Sequence, residues 1–362
     1  MTEKIKELRV RAVEVPMARP LQTSGGSVSI APLVLIDLET ESGAVGRSYI
    51  FSYTTLALAP LASLVDNLAS LVVGEPLAPL EIEAKLQRSF RLLGPQGLTG
   101  MALGGIDMAA WDALARSRDL PLAHLIGGTT QPLQVYNSKG LGLIGPERAG
   151  AEAAELVAEG FGAIKVRLGY PDLATDLAVL HEVRAAVGES VLLMSDYNQG
   201  LTVAEAERRI RALDELGLVW VEEPTRFDDD QGHARIRAGA GTPIQLGENA
   251  WGPHDMAATL QAGACDFFMI DVMKIGGVTG WLRGAALAEP SGLPVSSHLF
   301  PEVSAHLLSV TPTRHWLEYV DWAEPILSAP GLRIENGQAF ATEAPGNGLA
   351  WDEAAVERYR AN

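Results

Sequence analysis

Three acidic residues at equal intervals constrain the fold of this 362-residue chain more than any other feature. Each ends an apolar run: VLLMSD ends in Asp196, LVWVE in Glu222 and PIQLGE in Glu248. Successive acids are 26 residues apart, which matches one unit of strand, loop, helix and loop. In a closed barrel the carboxyl ends of such strands meet at one mouth. We therefore expect the three acids to face one another.

Facing carboxylates repel one another, and a hard divalent cation with oxygen ligands relieves that repulsion. The spacing thus predicts a metal site at Asp196, Glu222 and Glu248. The alternative is three unrelated acids that cap helix N-termini. Capping requires neither equal spacing nor a preceding apolar strand, so the metal site is favoured.

Eight apolar segments alternate with helical patterns after residue 130, which favours a barrel over an open sheet. The chain exceeds the roughly 250 residues of a bare barrel. We therefore predict an α+β domain at 1–130, the barrel at 131–320, and a C-terminal segment, 321–362, that returns to the first domain. The Gly- and Ser-rich segment 21–30 is predicted to be a mobile flap over an active site. The predicted barrel strands are 134–138, 162–167, 191–195, 218–222, 244–248, 266–271, 294–298 and 316–319.

Composition excludes several classes of partner. The net charge of −17 argues against nucleic acid and anionic membranes. The sequence contains no run of 18 uninterrupted apolar residues, so we expect no membrane span. The N-terminus has no apolar segment of the kind found in signal peptides. The single cysteine, Cys265, excludes an internal disulfide and favours a reducing cytoplasm.

One motif points elsewhere. Gly140, Gly142 and Gly145 form G-x-G-x-x-G between a predicted strand and a predicted helix, as in dinucleotide-binding folds. That fingerprint is followed about 20 residues later by an acid, whereas Lys165 and Arg167 stand here. An NADP site could use the arginine, but a dinucleotide fold leaves the spaced acids unexplained. The barrel is therefore favoured.

More reactive side chains occupy the predicted strand ends. Lys165 and Arg167 alternate along one strand, so both point to the same face. Asp271, His298 and Glu318 end three later strands. The barrel mouth is thus predicted to collect a metal, two cations, a histidine–aspartate pair and a further acid.

Motifs along nearly the whole chain resemble the enolase superfamily, in its mandelate racemase subgroup. The resemblance implies an α/β fold, a modified (β/α)7β TIM-like barrel with an α+β capping domain. It also implies that Asp196, Glu222 and Glu248 bind Mg²⁺. The reaction implied is abstraction of the α-proton of a 2-hydroxy carboxylate through a metal-stabilised enediolate. The motifs that carry the resemblance are AIKVRLGYPD, MSDYNQG, WVEEPT, GENAWGP, MIDVMKIGGVTGW, SSHLF and HWLE.

By the same resemblance, His298 is the base, and Asp271 orients it and makes it more basic. Lys165 and a protonated Glu318, whose pKa an apolar site raises, stabilise the charge that develops on the carboxylate. Homo-oligomers occur among the proteins that it resembles, so we expect one here. The side chains expected to contact substrate are Asn198, Ser138, Tyr53 and Val28.

One position departs from the pattern. The resemblance implies a K-x-K motif in racemases of this subgroup, with the second lysine as a base. Arg167 occupies the position of that second lysine here. A guanidinium rarely releases its proton. Three hypotheses follow: a racemase or epimerase in which Arg167 or Lys165 still relays a proton, an acid-sugar dehydratase that uses His298 alone, and a non-catalytic carboxylate-binding relative.

The predicted flap supports two kinds of substrate. Ser24, Ser27 and Ser29 are polar and would suit a polyol. The apolar side chains of the flap and of the strand near residue 51 would instead enclose an aromatic ring; they are Val28, Ile30, Phe51 and Tyr53. The whole-chain resemblance favours the racemase, with a small-molecule carboxylate as substrate.

Overall fold

The computed structural model describes residues 3–361. Its first domain is a three-stranded antiparallel sheet followed by helices. The sheet comprises β1 (Ile5–Thr23), β2 (Gly26–Thr40) and β3 (Val45–Phe51). The helices are α1 (Thr55–Val72), α2 (Pro79–Ser89), α3 (Gly97–Ser117) and α4 (Leu122–Leu125).

The second domain alternates parallel strands with helices. Its strands are β4 (Leu133–Asn137), β5 (Ala163–Arg167), β6 (Leu192–Asp196), β7 (Val221–Glu222), β8 (Ile244–Leu246), β9 (Phe267–Asp271), β10 (Val295–His298) and β11 (Trp316–Tyr319). Its helices are α5 (Pro146–Ala158), α6 (Leu173–Val187), α7 (Val203–Leu213), α8 (Asp230–Gly239), α9 (Pro253–Ala262), α10 (Gly277–Ala288) and α11 (Pro301–Ser309).

The strands close into a ring. Neighbours pair in parallel from β4 to β10, and β11 pairs with β4. A bridge between Val295 and Arg314, just before β11, closes the ring. Eight strands with seven intervening helices make a (β/α)7β barrel. The predicted fold class, a capping domain followed by a TIM-like barrel, is therefore confirmed.

Barrel strands are buried on both faces, as parallel strands usually are. All five residues of β5 are buried, including the charged side chains of Lys165 and Arg167. A buried charge is costly unless it has partners. The partners of these two cations therefore show which end of the barrel carries buried polar side chains.

The C-terminal segment divides between the two domains. The hairpin of β12 (Leu332–Glu335) and β13 (Gln338–Ala341) pairs with the barrel strand β4. The chain after it lies against the capping sheet: the Trp351 indole donates to Asp37, and the Ala361 amide donates to the carbonyl of Ala12. The final helix, α12 (Glu353–Arg358), lies between those contacts. The end of the segment thus lies against the first domain, whereas its hairpin lies against the barrel.

Polar contacts join the two domains. Asp107 of α3 accepts hydrogen bonds from the amide and hydroxyl of Thr279. The Tyr49 hydroxyl donates to Glu302 of α11. Burial raises the pKa of Asp107, and hydrogen bonds from Thr279 oppose that rise, which leaves it at about 7. The capping domain is therefore held by buried contacts as well as by the predicted flap.

The predicted flap is the end of the β1–β2 hairpin. Its turn reaches the barrel, where the Ser24 hydroxyl lies 2.9 Å from the carbonyl oxygens of Tyr197 and Asn198. The glycine motif that resembled a dinucleotide fingerprint has a packing role beside it. A Cβ on Gly142 would lie 2.6 Å from the carbonyl oxygen of Gln22. Glycine therefore lets the hairpin approach this barrel loop closely.

Helix α1 has a mean hydropathy of 1.5, and by length and composition it could cross a membrane. Only 28% of it is buried. Its buried positions recur every three to four residues, as on one face of an amphipathic helix. They are Leu58, Leu61, Val65, Leu68 and Val72, which pack into the core.

Candidate active site

The predicted site residues converge at the carboxyl ends of the barrel strands. The strand register pairs Arg167 with Asp196, Asp196 with Glu222, and Asp271 with His298. Glu248 follows β8 by two residues, and Glu318 lies in β11 beside β4. Residues distant in the sequence thus meet at one mouth because each ends a neighbouring strand.

Lys165 lies at the centre of this mouth. Its ammonium group is 2.6 Å from Glu222, 2.9 Å from Glu318 and 3.4 Å from Asp196. Burial lowers the pKa of Lys165, but the surrounding carboxylates outweigh burial and leave the pKa above its ordinary value. In this arrangement Lys165 is a charged hydrogen-bond donor.

Carboxylates outnumber the cations around Lys165. Burial raises the pKa of Glu222 to about 8, since Lys165 offsets only part of the effect of burial and of the other acids. Within residues 3–361, no three acidic, histidine or cysteine side chains converge as a metal-binding group. Instead Lys165 lies among the acids, and Glu248 contacts His298 at 3.3 Å.

The donor set nevertheless fits a divalent cation. Asp196, Glu222 and Glu248 offer only carboxylate oxygens, the ligands that Mg²⁺ prefers. All three are at least nine-tenths buried. Asp196, Glu222 and Glu318 share the single ammonium of Lys165, and Glu248 contacts His298, so carboxylates outnumber the cations that they contact. Extra positive charge at this mouth would lower that repulsion.

His298 and Asp271 form the predicted pair. His298 Nδ1 lies 2.8 Å from Asp271 Oδ2, which leaves Nε2 for other partners. Burial lowers the pKa of His298, but Glu248 and Asp271 outweigh it and raise the pKa to about 9. The aspartate thus orients the imidazole and increases its basicity, as the sequence suggested.

Glu318 differs from expectation. Its carboxylate accepts hydrogen bonds from the Leu299 amide at 2.8 Å and from Lys165. Burial raises the pKa of Glu318, but the charges of Lys165 and His298 outweigh it and bring the pKa below its ordinary value. The expectation of a protonated Glu318 assumed an apolar surrounding, whereas the structure places two cations beside it.

Arg167 contacts the backbone and no acid. One terminal nitrogen donates to the carbonyls of Ser138 and Gly140, and the other donates to the Ser138 hydroxyl, all at 2.9 Å. Its Nε is buried and has no hydrogen-bond partner within residues 3–361. The predicted substrate contact Ser138 is not among the residues that line the nearby cavity, and its hydroxyl accepts a hydrogen bond from Arg167.

These side chains border a cavity of about 360 Å³. Lys165, Arg167, Asp196, Glu248, His298 and Glu318 line its floor, together with Asn198. The wall that comes mostly from the capping domain is mostly apolar, with Thr23 as its polar residue. It comprises Leu21, Val28, Phe51, Tyr53, Met101 and, from the C-terminal segment, Trp322.

Aromatic rings make up much of that wall. Phe51 lies 4.6 Å from Tyr53 and 4.9 Å from Trp322 between ring centroids. The predicted contacts Tyr53 and Val28 both line the cavity, and the Tyr53 hydroxyl lies 3.5 Å from Asp271. The flap serines do not line it. An aromatic or branched apolar group therefore fits this wall better than a polyol.

Sequence reasoning left Lys274 undecided between the mouth and solvent. The structure buries it: its ammonium donates to Asn249 at 2.7 Å and lies 4.4 Å from the Tyr53 ring centroid. Trp322, which follows the last barrel strand, gave no sequence signal. The three-residue interval between Asp271 and Lys274, which returns a side chain to the same mouth, was the available indication for the lysine.

Comparisons with known proteins identify the family of this chain. Residues 5–127 match the mandelate racemase / muconate lactonizing enzyme N-terminal domain, and residues 148–355 match the enolase C-terminal domain-like family. The chain belongs to the mandelate racemase / muconate lactonizing enzyme family. The resemblance drawn from the motifs is therefore confirmed.

Members of this family with similar sequences or structures include three full-length matches. The L-talarate/galactarate dehydratase of Salmonella typhimurium is 29% identical, over 98% of this chain and 90% of that protein. An enolase from alpha proteobacterium BAL199 with bound magnesium is 44% identical, with a TM-score of 0.97 over 99% of this chain and all of the other. An enolase from Bradyrhizobium complexed with magnesium and mandelic acid is 44% identical, with a TM-score of 0.95 over all of this chain and 99% of the other. The prediction of an enzyme from this superfamily is thus confirmed.

Proposed function

We propose that this enzyme removes the α-proton of a 2-hydroxy carboxylate that carries an aromatic or similar apolar group, as a racemase or epimerase of the mandelate racemase type. The main support is one juxtaposition. The cavity lined by His298, which pairs with Asp271, and by Asp196 and Glu248 is also lined by the ring pair of Phe51 and Trp322. The mandelic acid bound by the Bradyrhizobium neighbour is a ligand of this kind.

We propose that Asp196, Glu222 and Glu248 bind Mg²⁺. The bound magnesium found in both structural neighbours and the excess of carboxylates at the mouth support this assignment. When bound, Mg²⁺ supplies positive charge that offsets the charge developing on a substrate carboxylate. The acids' contacts with Lys165 and His298 are then no longer the sole compensation for their charge.

His298 removes the proton in this proposal. Asp271 holds Nδ1, so that Nε2 is directed to the cavity. The Lys165 ammonium donates to a substrate carboxylate oxygen, and its fixed position favours the charge that develops as the proton leaves. Asn198, which donates to Asp196, also lines this cavity.

Dehydration is the second candidate. It needs a base on one side only, and Arg167, which shares its strand with Lys165, is held by backbone carbonyls. The Salmonella relative is a dehydratase. A substrate for this reaction would need a β-hydroxyl as well as an apolar group for the Phe51 wall.

The experiment is proton exchange in D₂O with Mg²⁺, followed by NMR and chiral chromatography. The substrates are (R)- and (S)-mandelate, lactate as a smaller 2-hydroxy acid, and galactarate as a polyol acid. We expect exchange and interconversion of the mandelates, slower reaction of lactate, and loss of exchange in His298→Asn. A 2-keto-3-deoxy product from galactarate would select dehydration, and no exchange with any acid would overturn the proposal in favour of carboxylate binding alone. Cytoplasmic location and a homo-oligomeric state remain predictions.

A further inference from the structure

Lys274 connects two parts of the barrel mouth, one through its backbone and one through its side chain. Its amide donates to Asp271 Oδ1 at 2.9 Å, and Asp271 Oδ2 lies 2.8 Å from His298 Nδ1. Its ammonium donates to Asn249 Oδ1 at 2.7 Å, and the residue is only 4% exposed. One buried lysine therefore contacts both the partner of the proposed base and the residue that follows Glu248.

Both polar atoms of the Asn249 side chain have ionisable partners. The amide oxygen accepts from the Lys274 ammonium. The amide nitrogen lies 2.9 Å and 3.0 Å from the two carboxylate oxygens of Glu223 and 3.2 Å from Glu248 Oε1. An amide nitrogen carries two hydrogens, so each acid can accept one of them. The side chain of Asn249 thus links a cation to a proposed metal ligand.

The chemistry of these partners allows one orientation of the Asn249 amide. An ammonium group can only donate a hydrogen bond, and an ionised carboxylate can only accept one. If the amide turned over, its nitrogen would face the Lys274 ammonium, and its oxygen would face the Glu248 carboxylate. Both hydrogen bonds would then be lost. Lys274 therefore determines which atom of Asn249 faces the acids.

Glu248 depends on such contacts more than the other two proposed ligands do. Asp196 and Glu222 are the last residues of β6 and β7, whereas Glu248 lies two residues beyond the end of β8. Glu248 is 9% exposed, against 1% for Asp196 and 0% for Glu222. Its Oε1 faces the Asn249 nitrogen, and its Oε2 lies 3.3 Å from His298 Nε2. The sheet fixes the backbone of the first two ligands, while side-chain partners fix the third.

We propose that Lys274 and Asn249 are positioning residues for the magnesium ligand Glu248, in which the ammonium orients the amide and the amide holds the carboxylate. The inference rests on the proposed metal site, and it extends that site from the ligands to the side chains that orient them. Hydrogen-bond partners of metal ligands have a measurable role, since their loss typically weakens metal binding by about 10- to 100-fold.

The experiment measures the Mg²⁺ dissociation constant by calorimetry in the absence of substrate. We expect Lys274→Met and Asn249→Leu each to raise this constant about tenfold. The direction of the first change is diagnostic, because an ammonium group also repels a metal cation. If only the charge of Lys274 mattered, Lys274→Met would bind Mg²⁺ more tightly than the wild type.

Two further variants separate positioning from a general loss of structure. Lys274→Arg keeps a charged donor for the amide oxygen, so its dissociation constant should stay within about threefold of the wild-type value. If Lys274→Met does not fold, Asn249→Leu provides the test. Lys139→Met is the matched control, because Lys139 also lies over a tyrosine ring, 5.3 Å from the Tyr319 centroid, but pairs with Glu159. It should leave Mg²⁺ binding unchanged, and a tenfold loss there would overturn the inference.

The double variant tests whether the two residues act as one unit. Once Asn249→Leu has removed the amide, the ammonium has no amide left to orient, so adding Lys274→Met should weaken Mg²⁺ binding no further. Independent effects would instead multiply to a loss of about a hundredfold and would contradict the proposed coupling.

This inference and the proposed reaction fail separately. Unchanged or tighter Mg²⁺ binding in either Lys274→Met or Asn249→Leu would overturn the inference, whatever the reaction is. Mg²⁺ binding without proton exchange in the wild type would overturn the proposed reaction, while the dissociation constants would still decide the role of Lys274 and Asn249. A wild-type protein that binds no Mg²⁺ would overturn the proposed metal site and this inference together.

Discussion

The barrel mouth and the contact between α6 and α7 both bury carboxylates, but they compensate the charge differently. At the second place, Asp176 accepts hydrogen bonds from the amides of Gly169 and Tyr170, from the Tyr197 hydroxyl and from Arg209. Both of its oxygens are thus satisfied by groups that the fold itself supplies.

At the mouth, one ammonium group is shared by three acids. Glu222, Glu318 and Asp196 all contact Lys165. The Glu248 carboxylate lies 3.3 Å from Nε2 of His298. The difference teaches that burial alone does not mark a functional acid. Glu222 also accepts hydrogen bonds from Trp220 and Gln245, so what distinguishes the mouth is the ratio of carboxylates to cations and not a lack of hydrogen bonds from the fold.

The largest expected effect comes from removing one charge at the mouth. Glu222→Gln should lower exchange at least about thousandfold, because the metal contributes several kcal/mol to the charge stabilisation of such a reaction. Its folding stability should not fall, since burial and the neighbouring acids already raise the pKa of Glu222 to about 8. NMR exchange and thermal unfolding measure the two quantities.

The matched control is the adjacent buried acid. Glu223 accepts hydrogen bonds from Asn249 and Gln199 and is not one of the three acids that contact Lys165. Glu223→Gln should keep its Mg²⁺ affinity, measured by calorimetry, within about threefold of the wild type. Full activity in Glu222→Gln, or loss of Mg²⁺ binding in Glu223→Gln alone, would reverse the assignment of these two acids.

The second prediction applies the opposite expectation to Asp176. Asp176→Asn should lower the free energy of unfolding by about 2 to 3 kcal/mol, because the buried Arg209 then keeps only Glu205 as a carboxylate partner. The folded fraction should retain its KM. Denaturant unfolding and steady-state kinetics are the measurements.

A neighbouring exposed pair provides the control for Asp176. Arg208 contacts Glu205 at 2.7 Å on the surface of α7, so Arg208→Gln should cost less than about 1 kcal/mol. A loss of activity without a loss of stability in Asp176→Asn would mean that this acid belongs functionally to the mouth.

The third prediction sharpens the same contrast for histidines. His298 contacts two carboxylates, whereas His306 accepts a hydrogen bond from the Ala123 amide and its Nε2 has no partner among the described residues. Burial lowers the pKa of His306 from 6.5 to about 4, with a smaller effect from His124. The folded protein therefore binds fewer protons at this site than the unfolded chain does between those pH values.

The titration of His306 therefore leaves the free energy of unfolding unchanged above about pH 6.5. As the pH falls toward 4, this titration lowers the free energy of unfolding by about 3 kcal/mol in all. In His306→Asn the amide oxygen can still accept from Ala123, and this part of the pH dependence should disappear. The measurement is denaturant unfolding of both proteins between pH 4 and 7. All other groups titrate alike in the wild type and in His306→Asn. If the free energy of unfolding has the same pH dependence in the two proteins, the pKa of His306 is not lowered by folding.

The barrel and the positions of its acids could be predicted because both follow from short sequence patterns. Apolar runs ended by Asp196, Glu222 and Glu248 recur at the length of a βα unit, so the topology follows from their order. The partners of Arg167 could not be predicted, because they are backbone carbonyls whose position depends on the loop after β4. For the same reason Lys274 was left undecided: its burial depends on Tyr53, which another domain supplies.

The charge state of Glu318 was also beyond a sequence argument. It depends on whether cations or apolar groups lie nearest, and Lys165 and His298 come from other strands. The split of the C-terminal segment has a similar cause. The edge of β4 accepts the β12–β13 hairpin, a choice that no periodicity in either segment records.

The β1–β2 hairpin brings Leu21 and Val28 to the cavity and fastens its tip to the loop that carries Asn198. Every acid, lysine and histidine of the cavity floor, in contrast, stands on a barrel strand end or just after one. Chemistry and selectivity are therefore encoded in separate stretches of the gene. Under the proposed reaction, a change in the hairpin can alter which acid is accepted without moving the residues assigned to proton abstraction, so new substrates are reached most directly by varying the hairpin while the barrel stays constant.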